Sequence, residues 1–196
     1  MGNNDCKGIP VNNIPLIYFA ANGYKEQMMD AAKTMMHEAG NYSEVDRASV
    51  CATMGFFACE LYMKYIIAYL NITDGKKRVT IPFTHDLSKL FEKLGNELET
   101  SIFESMAGNN DYSREEFNNE LKKCSDGFVL CRYYFEQDPE KLEKDDLSEN
   151  KKITIKYDFL KALTLALGKK AAEYSNSFKI SFDSDKCSSI IIEDIG

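Results

Sequence analysis

Histidine is scarce in this chain, which has two, His37 and His85, among its 196 residues. The sequence also lacks a phosphate-binding glycine loop, a paired-histidine metal motif and a serine nucleophile elbow. None of the six cysteines lies in a CxxC pair, the spacing that zinc sites favour. These absences exclude the common zinc proteins, phosphate-loop enzymes and serine hydrolases, and we expect neither a metal nor a cofactor.

Positive charge is also in short supply, because 24 Lys and Arg stand against 31 Asp and Glu and the net charge is −7. A protein that binds the phosphate backbone of a long nucleic acid usually presents a broad basic face. The charge balance argues against such a face and leaves room only for a local basic patch. The best basic run, Lys76-Lys77-Arg78, is interpreted as a solvated loop tip, with a small phosphate-binding patch as the alternative.

Long apolar runs and a secretory signal are lacking as well. The longest uncharged stretch of the main apolar helix covers residues 48–59, whereas a membrane-spanning helix needs about 20 apolar residues. The first residues do not show the basic-then-apolar order of a signal peptide. Free thiols in a reducing cytosol fit the cysteine spacing, so we expect a soluble cytoplasmic protein with no membrane partner.

A single domain with two arms is the organisation that the length and the 44% hydrophobic content favour. We predict an N-terminal arm over 1–22, whose apolar residues from Ile14 to Phe19 dock on the body. A helical bundle follows over 23–176, with an acidic connector at 137–155 inside it. A C-terminal arm over 177–196 completes the chain, with a strand or extended segment over 178–192.

Helical periodicity and capping residues predict an all-α, up-and-down helical bundle. The predicted helices cover 23–38, 45–70, 85–94, 98–106, 113–136 and 157–174. The helix over 45–70 is apolar on most sides and is expected at the centre of the bundle, with Gly55 allowing a close helix approach. Thr84 is the predicted N-cap of the 85–94 helix, Ser113 and Glu116 form a capping box, and 71–83 is predicted as a loop.

Two charged residues on the apolar 45–70 helix are the first candidates for a site. Glu60 and Lys64 have i, i+4 spacing with the acid first, the favoured order for a helical ion pair. Either they satisfy each other structurally, or they line a polar cleft. His85 stands at a loop-to-helix junction beside Asp86, and it is either a residue that fixes the helix entry or an acid/base or phosphate-binding group.

A third charged cluster lies near the end of the 113–136 helix. Arg132 and Glu136 are again four residues apart, and an arginine can bind a carboxylate or a phosphate through two parallel hydrogen bonds. The alternative is an internal bridge, for example to Glu60. Tyr133 is either a core or interface residue or a surface on which a base stacks.

Taken together, these three clusters resemble the HEPN (higher eukaryotes and prokaryotes nucleotide-binding) family. The segments that carry the resemblance are 58–64 with Glu60 and Lys64, Thr84-His85-Asp86-Leu87, and 128–136 with Arg132. The family implies a helical bundle that often forms a homodimer. Some members are metal-independent ribonucleases of toxin–antitoxin, phage-defence and CRISPR-linked systems, and others bind nucleotides or act as inactive partners.

The resemblance implies a binding or regulatory module that contacts RNA or a nucleotide in a bacterial defence or stress system, together with a cognate protein partner. The ligand-binding residues would be Glu60, Lys64, His85, Asp86, Arg132, Tyr133 and Glu136. The second hypothesis is a divergent ribonuclease in which His85 is the acid/base and Arg132 stabilises charge on the phosphate. The family's Arg-x4-6-His motif is absent, since no histidine follows Arg132. A structural protein-interaction bundle is the third hypothesis.

Overall fold

The computed structural model is an all-α helical bundle accompanied by two small two-stranded sheets, and it confirms the predicted fold class. It describes residues 6–37, 43–73, 76–107, 112–133, 155–175, 178–183 and 189–194. The α-helices of these ranges are α1 Ile14–His37, α2 Ser43–Leu70, α3 Leu87–Glu92, α4 Asn96–Ala107, α5 Arg114–Tyr133 and α6 Tyr157–Ser175. The strands are β1 Cys6–Pro10, β2 Arg78–Pro82, β3 Phe178–Asp183 and β4 Ser189–Asp194.

Helix α2 lies at the centre of the bundle, as its apolar pattern predicted. It packs against α1, α3, α5 and α6. Every residue from 62 to 68 is buried, so this stretch of α2 has no solvent-facing side. A helix that is apolar all round gains from burial on all of its faces, and the charged Glu60 and Lys64 are therefore buried with it.

Gly55 is the point at which α2 meets α1 and α6 most closely. A Cβ atom added at Gly55 would lie 2.7 Å from Met28 Sδ and 2.8 Å from Leu160 Cδ2. Real side chains do not tolerate such distances without displacement of a neighbour. The predicted close helix approach at Gly55 is thus confirmed.

We expect Gly55→Ala to lower the free energy of unfolding by about 1–3 kcal/mol, because the added methyl overpacks the core. Gly23→Ala is the matched control, since Gly23 lies in α1 with no atom within 4 Å of an added Cβ. It should raise the stability by about 0.5–1 kcal/mol through helix propensity alone. Chemical denaturation of the two variants checks the pair, and equal effects would contradict the close packing.

The N-terminal segment is more structured than the predicted arm over 1–22. Residues Cys6–Pro10 are extended, but they pair with β2, and α1 begins at Ile14 rather than at residue 23. Pro15 falls in the first turn of α1, where a proline costs no hydrogen bond. Ile14 is fully buried, as expected for docking, whereas Leu16 and Phe19 are each 41% exposed.

The loop predicted over 71–83 contains a strand that the sequence analysis missed. Strand β2 pairs antiparallel with β1, with Cys6 opposite Pro82 and Pro10 opposite Arg78. Val79 is buried in the core. Pro82 is the last residue of β2, and a proline is tolerated at a strand end. Lys76, Lys77 and Arg78 are exposed, as a solvated tip requires.

The remaining elements follow the predictions closely. Helix α4 covers the predicted 98–106 and α6 covers the predicted 157–174. Ser113 and Glu116 form the predicted capping box, with the Ser113 N–H 2.8 Å from Glu116 Oε2 and the Glu116 N–H 3.2 Å from Ser113 Oγ. Strands β3 and β4 form a hairpin within the predicted C-terminal arm. The acidic connector at 137–155 lies outside the described residues except for Ile155.

Length and apolarity alone would let one segment of α2 cross a membrane. The segment Val50–Leu70 has a mean hydropathy of 1.3, and 67% of it is buried inside the protein. The uncharged stretch counted from the sequence ends at residue 59, because Glu60 is charged. A central bundle helix meets the same test, so the burial accounts for its apolarity.

Candidate functional site

The core of the candidate site is the ion pair that α2 carries one helical turn apart. Lys64 Nζ lies 2.6 Å from Glu60 Oε1, and the two residues are 8% and 4% exposed. A charge in apolar surroundings is costly unless an opposite charge and hydrogen bonds compensate it. The i, i+4 spacing therefore produces the predicted pair, in a buried setting.

His85 joins this pair from the segment between β2 and α3. Its Nδ1 lies 2.9 Å from Glu60 Oε1, so a single carboxylate oxygen serves both Lys64 and His85. The histidine side chain keeps 28% of its surface exposed. Glu60 thus contacts both a buried lysine and a partly exposed histidine. The structure therefore brings together three of the residues that were predicted to form the site.

Two phenylalanine rings contact the His85 imidazole edge-on. Phe128 of α5 lies edge-on to it with ring centroids 6.2 Å apart, and Phe83 does so at 6.4 Å. Phe128 is fully buried, while Phe83 is 64% exposed. The ring is therefore oriented by one core contact, one surface contact and the hydrogen bond to Glu60.

Asp86, and not Thr84, caps the helix that follows His85. Helix α3 begins at Leu87, and Asp86 Oδ1 accepts the Lys89 N–H at 3.1 Å. Thr84 Oγ1 accepts the Asp86 N–H instead, at 3.1 Å. The predicted helix start at residue 85 and the predicted Thr84 cap are both wrong, because the aspartate two residues later offers the stronger, charged acceptor.

Protein groups surround the Asp86 carboxylate. The Ser125 hydroxyl donates to Oδ1 at 2.8 Å and Lys89 Nζ lies 3.3 Å from Oδ2. Desolvation raises the pKa of this carboxyl, but the Lys89 N–H, the Ser125 hydroxyl and the Lys89 charge outweigh it, so the pKa lies below its ordinary value. Asp86 is thereby placed as a residue that ties α3 to α5. Ser125 was missed, and nothing in its local sequence distinguishes it.

Three further predicted site residues lie at the edge of the described chain or beyond it. Arg132 and Tyr133 belong to the last turn of α5, but their side chains lie outside the described part of the structure. Glu136 lies outside the described residues altogether. Within the described ranges, Glu60 Oε2 is buried and has no hydrogen-bond partner.

The two residues that precede His85 in the chain contribute to a surface depression that the sequence did not predict. It encloses about 510 Å³ and is lined by Phe83, Thr84, Lys89, Glu92 and Lys93. Lys89 and Lys93 are four residues apart, so they face the same side of α3 and its end. The only sequence signal for this surface is an aromatic residue followed by two lysines at helical spacing.

The described cysteines are buried free thiols that offer no reactive group to this site. Burial raises the pKa of the Cys59 thiol to about 12, although its hydrogen bond with Thr164 acts against it. Desolvation likewise raises the pKa of Cys51 and of Cys124. Since the thiolate is the reactive form, these three residues serve packing. Cys6, Cys131 and Cys187 have side chains outside the described set.

Comparison of the chain with protein-family models, curated proteins and solved structures finds no match. The resemblance to the HEPN family therefore rests on the three sequence motifs and stays a prediction. The helical bundle is a common architecture, and a fold alone does not assign a function.

Proposed function

We propose that this chain is a HEPN-like binding module that contacts RNA or a nucleotide in the cytoplasm, as part of a bacterial defence or stress system. The observation that carries the proposal is the single Glu60 oxygen shared by buried Lys64 and partly exposed His85. Burying these charged groups costs desolvation free energy that apolar side chains would not cost. Charged groups that are kept at such a cost and reach the surface are concentrated at functional sites.

Glu60 gives His85 a defined chemical role. A carboxylate only accepts hydrogen bonds, so the proton of the imidazole lies on Nδ1, 2.9 Å from Glu60 Oε1. The same contact fixes the orientation of the imidazole ring. Lys64 supports this arrangement from within, since its ammonium is 2.6 Å from the same oxygen. Arg132 and Tyr133 are proposed to add phosphate binding and base stacking.

The depression beside His85 favours ligand binding over a purely structural bundle. The two residues that precede His85, Phe83 and Thr84, line a depression of about 510 Å³ together with Lys89, Glu92 and Lys93, a feature that a purely structural ion pair does not require. The family resemblance adds a homodimer and a cognate protein partner to the proposal.

A divergent metal-independent ribonuclease is the second candidate, and one observation favours it. A histidine held by a carboxylate is the arrangement that general acid–base catalysis uses. In that case His85 would transfer the proton and Arg132 would stabilise the charge that develops on the phosphate.

RNA binding and cleavage measured in EDTA on the same protein test both candidates. We expect no cleavage, and we expect His85→Ala to weaken RNA binding tenfold or more, since hydrogen bonds to charged groups contribute about 1.5–3 kcal/mol. His37→Ala removes the other histidine and is the matched control. Arg132→Ala is measured beside them.

Two results would change the assignment. Cleavage that His85→Ala and Arg132→Ala both abolish, with the fold intact, would establish the ribonuclease and overturn the binding module. Absence of binding across RNA oligomers and free nucleotides would reject both and leave the interaction bundle.

A further inference from the structure

Phe83 presents an aromatic ring to solvent beside the candidate site. It is 64% exposed, the largest value among the exposed large hydrophobic residues that the structure describes. Its ring meets His85 edge-on, which leaves much of its surface accessible. An exposed aromatic ring beside cationic groups is the arrangement on which nucleobases stack.

Two lysines line the same depression and bring positive charge to it. Lys89 is held at 3.3 Å from Asp86 Oδ2 and its side chain is 68% exposed. Lys93 forms no ion pair with any described residue. Glu92 lines the depression as well, so its lining carries two lysines and one carboxylate around the exposed ring, in a chain of net charge −7.

Lys93 also lines a second depression. It encloses about 200 Å³ and is lined by Ile67, Leu70, Asn71, Thr80, Pro82 and Lys93. Leu70 is 49% exposed there. The two depressions thus share one cation, with an aromatic ring on one side and an apolar surface on the other.

We infer that these two depressions form a groove for single-stranded RNA, with one base on Phe83, the next base against Leu70 and the phosphate between them on Lys93. This inference rests on the proposed function and names its ligand class. The alternation of apolar surface, cation and apolar surface matches the base–phosphate–base order of a strand. A free mononucleotide would fill only one of the two depressions.

Fluorescence anisotropy with uridine oligomers of increasing length tests the groove. Affinity should rise from the mononucleotide to the dinucleotide, and Phe83→Ala should lower oligomer affinity roughly 5- to 100-fold through lost stacking. Phe83→Tyr should keep the affinity, whereas Phe83→Leu should not. Lys93→Gln should reduce the magnitude of the logarithmic salt dependence by about 0.7, the contribution of one phosphate contact.

The chain offers a control for each substitution. Phe19→Ala removes another exposed aromatic ring, 41% accessible and located on α1. Lys122→Gln removes an exposed lysine of α5 that lines neither depression. Both variants should bind RNA like the wild type. Thermal melts confirm that each variant is folded.

The outcomes separate this inference from the proposed function. RNA binding that depends on His85 but is unchanged in Phe83→Ala and Lys93→Gln would overturn the groove and leave the binding module in place. Mononucleotide affinity equal to that of the oligomers would also overturn it, in favour of a nucleotide site. Absence of RNA binding, with Phe83→Ala altering self-association in sedimentation, would make the face an interface between copies and reject both.

Discussion

Lys64→Met is expected to lower the free energy of unfolding by about 3–5 kcal/mol, the cost of leaving a buried charge without its partner. The substitution keeps the volume and apolar stem of the side chain and removes only the ammonium. It leaves the Glu60 carboxylate at 4% exposure, with Oε2 already lacking a hydrogen-bond partner among the described residues. Among the described residues, His85 is then the remaining hydrogen-bond partner of the carboxylate. Guanidinium denaturation measures the loss.

The double variant Glu60→Leu, Lys64→Met distinguishes the effect of removing the whole ion pair from the effect of removing one partner. Replacing a whole buried ion pair by apolar side chains is often neutral or stabilising, so most of the lost stability should return. RNA binding should nevertheless stay weak, because His85 loses the carboxylate that orients it. Recovery of both stability and binding would show that Glu60 has no part in the site.

A surface ion pair provides the control for the single substitution. Lys33 and Asp30 lie 3.0 Å apart on α1, with side chains 70% and 73% exposed. Exposed pairs of this kind contribute about 0–1 kcal/mol, so Lys33→Met should be nearly neutral. If Lys64→Met were equally mild, the buried pair would not have the energetic role assigned to it.

The sequence predicted the elements whose signals are local. Apolar residues on every side predicted helix α2, and the capping box of Ser113 and Glu116 predicted the start of α5. Both signals lie within a few residues of the structure that they specify. Helix α6 was located in the same way, within one residue at its end.

The sequence could not predict what depends on distant partners. Strand β2 forms because β1 pairs with it. The two strands are far apart in the sequence but adjacent in the sheet, with Gly8 opposite Thr80. Without that partner, the residues around Arg78 and Pro82 have the composition of a loop. The early start of α1 was missed for a related reason, since Pro15 and the asparagines before it indicated an extended arm.

The candidate site shows the same division. The Glu60–Lys64 contact follows from spacing on one helix, and the approach of His85 was expected from the order of the motifs. The contact of Ser125 with Asp86 joins α5 to α3 and has no local signal. The groove beside Phe83 likewise exists only once β2 and α3 are placed against α2.

Phe128→Ala is expected to cost about 3–5 kcal/mol of unfolding free energy, the usual loss for a buried phenylalanine. Phe128 is fully buried, with ring centroids 5.7 Å from Phe56 and 5.1 Å from Phe57. Phe83→Ala removes the exposed ring that also contacts His85. Its free energy of unfolding should stay within about 0.5 kcal/mol of the wild-type value. Urea denaturation compares the two, and similar losses would contradict the burial assigned to Phe128.

Phe128→Leu tests whether this core ring also orients the site. It keeps an apolar side chain in the core, so the stability loss should be smaller than for Phe128→Ala. The edge contact with the His85 imidazole at 6.2 Å is lost, however, while the imidazole keeps its hydrogen bond to Glu60 and its contact with Phe83. We expect the folded Phe128→Leu protein to bind RNA more weakly than wild type, because a small displacement of a positioned group is costly. Unchanged affinity would mean that the Phe128 ring has no part in placing His85.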